Sequence, residues 1–442
     1  MFEGVFRSYS TVASLTSLFA GIFLLMVGQM LLGLGLSIKV PSLYGDGMSG
    51  VILSVHYLGL IVGAVRSREM IRRIGHIRTF AANATVLSAA VVFHAVVEDA
   101  YVWIALRLIF GLCFGALIAV FESWISDAAP GNSRGLIVSF YQFVAYFGQA
   151  LGMFSLNFIQ VDSDIVFLLS SVILSISLVP IVLTRVRAPV PEPFKPQKLS
   201  ELFSISPLAL TGAAGAGVLF GVLFALTSVF LVRLEYSAFD ITMINVAIVL
   251  GGMAFQVPLA IIADRIDRRV MLLSIFILIA LGCLGAKFRV SGDANLWELA
   301  AWFFLIGGGT AMAYPVALAR AYDYLEPSEY VRAASAMVMT YSAMAFLGPL
   351  LGGFVFQAFG SGSFFLILIG FSLFLVAFTV FRMIRGESMS VEAQEEIVIA
   401  PTRLGASAGV QLDPRIEEEG EGEGDSQGEE SEAMASSAAP AS

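Results

Sequence analysis

The sequence predicts an all-α integral membrane protein in which twelve transmembrane helices form two six-helix pseudo-repeats. Three observations carry this expectation. The 442-residue chain is 58% hydrophobic, with a mean hydropathy of +0.86, against the roughly 45–50% apolar content of soluble domains. Twelve apolar runs of about 20 residues, the length that crosses a bilayer, are separated by turn or charge clusters. A charged motif recurs at corresponding places in the two halves.

Taken in order, the first run, 12–36, has no small-residue cleavage site behind it and is too long for a signal-peptide core, so it is expected to be retained. Runs at 48–67 and 77–96 follow, separated by a basic stretch, "RRIGHIRTF" at 72–80. The runs 102–126, 135–158 and 164–184 complete the first half. The first two of these carry "GLCFG" and "GQALG", small-residue faces that let helices approach closely. Residues 185–206, "RVRAPVPEPFKPQKLSELFSIS", are proline-rich and read as a linker. The second half holds 207–232 with "GAAGAGVLFG", then 239–262, 270–288, 296–319, 332–356 with "LGPLLGG", and 363–385. The expected organisation is therefore a six-helix half at 1–184, a linker at 185–206, a second half at 207–386 and a tail at 387–442. That tail holds 14 acids and 2 arginines, too little apolar surface to order itself.

The formal charge of -9 describes mostly this tail; the remaining residues, with 23 Lys/Arg and 20 Asp/Glu, come to about +3. An acidic isoelectric point is thus no sign of a cationic partner, and nothing points to nucleic acid. Placing the N-terminus in the cytoplasm puts 18 Lys/Arg in loops on that side and leaves four, Lys39, Arg233, Lys287 and Arg289, on the other. The positive-inside rule then predicts that both termini are cytoplasmic. Cys113 and Cys283 lie singly in apolar runs, without metal-ligand or disulfide spacing, and read as structural thiols.

Topology alone would accept arginines anywhere between helices 2 and 3. An offset of 192 residues carries Arg72 and Arg73 onto Asp264 and Arg265 of "ADRIDRR" (263–269), between helices 8 and 9. Parallel six-helix repeats of this kind occur in secondary transporters. At this point the chain resembles the major facilitator superfamily over residues 10 to 386. That family's signature, G-x-x-x-D-R-x-G-R-R, is kept in the first copy at Arg73, Gly75 and Arg78, while Arg68 and Arg72 depart from it. The second copy keeps Asp264, Arg265, Arg268 and Arg269, with Asp267 at the glycine position. "GHIR" (75–78) together with "ESW" (122–124) resembles the family's bacterial YcaD-like branch.

The resemblance implies that these charges gate the protein by pairing with acids at helix ends, which holds one half against the other in the outward-facing state. Asp127, in "WISDAAPGNSRG", and Asp323, Glu326 and Glu329 are the available partners. The other reading is that the arginines only set topology and bind anionic lipid heads.

Within the apolar runs, Arg107 is costly, at least about 2.5–3.5 kcal/mol at membrane depth unless it meets a partner or a wet cavity. Its spacing to Gly111 and Gly115 resembles the family's R-x-x-x-G pattern on helix 4, which implies a part in proton coupling. Glu122 lies 15 residues on, about 22 Å along the axis and about 60° round it, so the two share a face without touching. Snorkelling of Arg107 to the interface, and an ion pair for Glu122, are the alternatives. Gln29, His56 and Gln142 are further polar groups that could face a solute or proton path, or could equally hydrogen-bond between helices.

The expected function is secondary transport of a small solute between the halves, coupled to protons, by a monomer in contact with membrane lipid. An uncoupled facilitator, an efflux antiporter and a non-transporting sensor are the alternatives. An enzyme is not expected: HExxH and GxSxG are absent, and His56, His76 and His94 are scattered. No phosphate-binding loop suggests an ATP-driven pump, and no cofactor is expected. An arginine-bearing path with no acid in the middle of helices 1, 7 or 10 favours neutral or anionic organic solutes over polycations.

Overall fold

The computed structural model describes residues 15–128, 134–160, 163–183, 198–290, 295–326 and 329–385, leaving aside the side chains of 126–128, 134–136 and 331. The described residues are helical almost throughout and contain no strand. Eleven of their helices are long and apolar enough to cross a membrane. The first, Thr16–Ile74, has 59 residues, about 88 Å at 1.5 Å per residue, nearly three times the ~30 Å hydrocarbon core. It is two spans rather than one. Gly45, at φ 76° and ψ 177°, leaves helical geometry in a region that is essentially glycine's alone and costs a side chain about 1–3 kcal/mol. The break separates α1 (16–44) from α2 (46–74).

The remaining spans are α3 (His76–Val96), α4 (Ala100–Ala128), α5 (Arg134–Ser155), α6 (Ile165–Val182), α7 (Pro207–Arg233) and α8 (Ala238–Ala263). They continue with α9 (Arg268–Val290), α10 (Leu296–Tyr322), α11 (Tyr330–Phe359) and α12 (Ser363–Arg385). The described residues thus hold twelve spans, and an even number puts Thr16 and Arg385 on one side. We call that side the termini face and the other the distal face.

Three local expectations are corrected. The segment 37–47, which reads as a loop, is helical up to Gly45 and carries Pro41 inside the helix. "RRIGHIRTF" is not a loop either: Arg72 and Arg73 close α2 and His76 opens α3 around Gly75 alone, at φ 82°. Glu69 explains why α2 runs on past its apolar stretch, because it pairs with Arg72 at 2.7 Å and with Arg73, the i,i+3 and i,i+4 contacts that support a helix end. Finally, the end of the linker is a short helix, Leu199–Ile205. Residues 184–197 and the acidic tail lie outside the described residues.

Helices in lipid gain little from apolar contact alone and pack where small residues let backbones touch. A Cβ at Gly59 would lie 2.3 Å from the Leu108 carbonyl oxygen, and one at Gly115 would lie 2.2 Å from that of Leu60. In the second half a Cβ at Gly251 would meet the Phe304 carbonyl at 1.9 Å, and one at Gly307 that of Ile248 at 2.2 Å. The offset of 192 carries Gly59 onto Gly251 and Gly115 onto Gly307. The α2–α4 and α8–α10 contacts therefore use corresponding glycines, with the partner carbonyls one helical turn away from the corresponding positions, and the repeat is a packing repeat as well as a motif repeat. Between the halves, α2 crosses α11, α5 meets α8 and the first two helices meet α7.

Gly63, whose Cβ would come within 1.8 Å of the Leu112 carbonyl, and Gly33, which has nothing within 4 Å, offer a direct test. Gly63→Ala should lower thermal stability by about 1–3 kcal/mol, as overpacking does, and Gly33→Ala should leave it unchanged or raise it slightly. Unfolding curves of the purified variants in detergent give the comparison.

Candidate functional site: a cavity between the two halves

Where the halves meet at mid-span they enclose a cavity of about 1230 Å³, its open mouth included. Its wall comes from α1, α2, α4 and α5 on one side and α7, α8, α10 and α11 on the other. Gln29, His56, Arg107 and Gln142 all line it. Glu122 does not. It is fully buried further along α4 toward the termini face, so the sequence expectation that it shares a path with Arg107 is not met by its position.

Arg107 is buried, 5% exposed, seven residues inside the distal end of α4, about 10 Å along the axis. It does not snorkel outward, because its side chain lines the cavity. Among the described residues it makes no hydrogen bond or ion pair; its guanidinium lies 5.3 Å from the centre of the Phe110 ring. His56 packs against Tyr57, Phe110 and Phe114, and its Nδ1 has no hydrogen-bond partner among the described residues. The same holds for Gln29 Oε1 and Gln142 Oε1. Buried polar atoms are normally satisfied, so four unpartnered groups on one wall mark a surface made to meet water or a solute.

Sequence reasoning missed the tyrosines. Tyr57 and Tyr146 from the first half and Tyr314 and Tyr341 from the second all line the cavity. The Tyr314 and Tyr341 rings lie 4.9 Å apart, tilted by 56°, Tyr57 meets Phe220 edge-on at 6.3 Å, and Gln256 donates to the Tyr146 hydroxyl at 3.1 Å across the halves. One signal was available: tyrosine in a membrane helix favours the interface, and these four stand mid-span.

At the distal end the two halves are joined. Arg233 Nε lies 2.7 Å from Asp46 Oδ1 and its Nη2 donates to the Pro41 carbonyl at 3.2 Å, joining α7 to the α1–α2 turn. A Cβ at Gly50 would lie 2.6 Å from the Pro349 carbonyl and 2.8 Å from Gly353 Cα, so α2 and α11 touch backbone to backbone here.

On the termini face the two motif copies behave differently. Arg72, Arg73 and Arg78 are exposed. Arg268 is fully buried between Asp264 at 3.2 Å and Asp323 at 3.6 Å, Arg320 approaches Asp323 at 3.8 Å, and Arg269 holds Asp267 at 2.7 Å. Arg265 is exposed. Each of these ion pairs lies within the second half, not across the halves as the gating expectation requires. Those Arg269 hydrogen bonds offset the desolvation that would raise the Asp267 carboxyl and leave it below its ordinary range. Glu329 accepts from the Glu326 backbone N–H at 3.4 Å, and the Asp127 side chain lies outside the described residues. The two pieces of the branch resemblance prove to be one contact: His76 of "GHIR" shares a hydrogen bond with Ser123 Oγ of "ESW" at 3.1 Å and lies 5.4 Å from the Trp124 ring.

Comparison with known proteins agrees with this architecture. The profile of the Major Facilitator Superfamily matches residues 11–255 and 234–411. The chain belongs to that superfamily, and so to a family of membrane transporters and not of enzymes. Among its relatives, the uncharacterized MFS-type transporter YcaD of Shigella flexneri serotype 5b (strain 8401) is 24% identical over 360 residues, covering 78% of this chain and 92% of that one. An uncharacterized MFS-type transporter of Enterobacter sp. (strain 638) is 23% identical over 321 residues, covering 72% and 82%. A crystal structure of the nucleoside transporter NupG shares the fold, with a TM-score of 0.69 at 12% identity, over 83% of this chain and 98% of that one.

Removing one partner of a buried ion pair leaves an uncompensated charge, at a cost of about 3–5 kcal/mol. Asp323→Ala should therefore destabilise the protein strongly. Arg73→Ala, at a side chain 74% exposed, should leave the unfolding midpoint where it is.

Proposed function

We propose that this chain is a secondary active transporter that carries a small organic solute across the bacterial inner membrane by alternating access, driven by protons. The observation that carries the reading is the cavity walled by four helices of each half and closed at one end by contacts between them. Contacts that run between the halves can open without unfolding either half, and rigid-body rocking of the halves is how such repeats alternate. The cavity is complete within one chain, so a monomer suffices.

In this reading the termini face is cytoplasmic, supported by the 18 to 4 asymmetry of Lys and Arg between the two sides. The structure then corresponds to the state closed toward the periplasm. The ion pairs of Asp264, Arg268 and Arg269 stay within one half in that state. Arg73, Arg78 and Arg265 stand exposed at the same face, beside the half-buried Gly75, where they would meet the facing half when the cytoplasmic end closes. Asp127 would belong to the same set. His56, facing the cavity beside Arg107, is the group that takes up and releases the coupling proton.

Three experiments test these statements. A periplasm-active reporter fused after Arg385 should be silent; activity there refutes the orientation. Asp46→Cys with Arg233→Cys, in a background lacking Cys113 and Cys283, should work when reduced and lose solute flux in proteoliposomes when cross-linked. Full flux through the cross-linked protein refutes alternating access at this seal. The solutes for the assay come from a thermal-shift screen of a metabolite library, since a ligand of the folded state raises its stability. His56→Gln should abolish pH-gradient-driven flux and retain counterflow of labelled solute, whereas unchanged gradient-driven flux would remove His56 from coupling.

A further inference from the structure

We infer that the central cavity selects an organic monocarboxylate with an apolar body, and that Arg107 is the subsite for its carboxylate. The inference rests on the transporter reading above and narrows its substrate class.

The argument begins with an imbalance of charge. Among the described residues that line the cavity, Arg107 alone carries a fixed charge, and no Asp, Glu or Lys stands on the wall. Removing an ion from water costs several kcal/mol even after relaxation, and a single ring contact such as that with Phe110 returns on the order of 2 kcal/mol. A charge kept at membrane depth faces water or a counter-charge. The protein supplies no counter-charge here, so the anion that completes the site is one that arrives.

The geometry of the wall narrows its chemistry. A guanidinium is a planar fork that matches a carboxylate with two parallel hydrogen bonds. While His56 is neutral, before it takes up the coupling proton, one such group neutralises one negative charge, and a second carboxylate or a phosphate dianion would be left uncompensated against the rest of this wall. On the same cavity wall as Arg107, His56 Nδ1 and Gln29 Oε1 remain unpartnered among the described residues, able to bind water or a polar substituent of the solute.

Away from Arg107 the wall changes character. Phe220 and Phe224, 4.4 Å apart, and Tyr341 at 5.8 Å from Phe220 form an aromatic surface contributed by the second half. Met26, Met30 and Met153 from the first half face the same space, and thioethers adapt to irregular apolar shapes and to ring edges. A solute with a charged head at Arg107 and a ring or branched chain against this surface would bridge the two halves. It would satisfy the buried cation and cover the aromatic wall at once, whereas an organic cation would meet an unscreened like charge.

The test uses the purified full-length protein and solutes matched in shape. Phenyl, indole and branched aliphatic skeletons are each presented as the propionate, its primary amide and the corresponding amine, and binding is read by thermal shift and titration. The expected result is stabilisation by carboxylates and little by amides or amines. Arg107→Gln should weaken carboxylate binding by about 10- to 100-fold, the loss expected for hydrogen bonds to a charged group, and Arg107→Lys should restore part of it. Both variants are checked for an unchanged gel-filtration profile, and binding is compared between them. Amides or amines binding as well as carboxylates, carboxylate affinity unaffected by Arg107→Gln, or no carboxylate bound by the unmodified protein would each overturn the inference. If amides or amines bind and are also moved in proteoliposomes, the transporter reading stands while this inference falls. If carboxylates bind and none crosses the membrane, the subsite stands and the transporter reading falls.

Discussion

Lipid tails are as apolar as leucine, so the helices of this protein cannot rely on burial of apolar surface to hold a fixed arrangement. Contacts between backbones, allowed by glycine, take that place, and the site depends on one of them. A Cβ at Gly111 would lie 2.1 Å from the carbonyl oxygen of His56. The same contact that presses α2 onto α4 therefore sets His56 and Tyr57 beside Arg107. Any residue larger than glycine at 111 or 115 would push α2 outward and widen the space in which the one fixed charge of the wall sits. Packing and binding geometry are a single constraint along this helix pair.

The two halves share that packing and differ in their charges. In the second half, arginines at the start of α9 are buried with Asp264, Asp267 and Asp323, which makes this corner rigid. In the first half, the related arginines lie at the exposed end of α2, tied among the described residues to Glu69, and exposed pairs of this kind contribute little to stability. A structural cluster on one side and a loose set of charges on the other suits a hinge in which only one side has to find new partners. The buried knot of His76, Ser123 and Trp124 fixes α3 to α4 just beneath the loose set, so those charges are presented from a firm base.

At the distal face the halves are joined by the Arg233–Asp46 ion pair, an arginine-to-carbonyl hydrogen bond, the Gly50–Gly353 approach and the packing of Gly47 against Gln357 and Phe354. The arginine is more than one-third exposed, where water weakens its pull. The interface can thus exchange partners while each six-helix unit keeps its glycine contacts.

The chain's own composition determined the number of spans, their order, the two-fold repeat and the side on which the charges gather, because crossing a bilayer demands about 20 apolar residues each time and leaves that demand written in the sequence. It also exposed Arg107, since a charge inside an apolar run violates the same demand. Helix ends were less legible: α2 continues past its apolar stretch because Glu69 holds Arg72 and Arg73, a local pairing that hydropathy does not weigh. Only the tertiary structure separated Arg107 from Glu122. Both are charges on one helix, yet one lines the cavity and the other is buried away from it, because the supporting helices differ along α4. The tyrosines and methionines of the wall were likewise invisible, since an apolar side chain facing lipid, a neighbouring helix or a solute has the same hydropathy. Which of the three it meets is settled by how the halves come together, and that depends on backbone contacts between residues far apart in the chain.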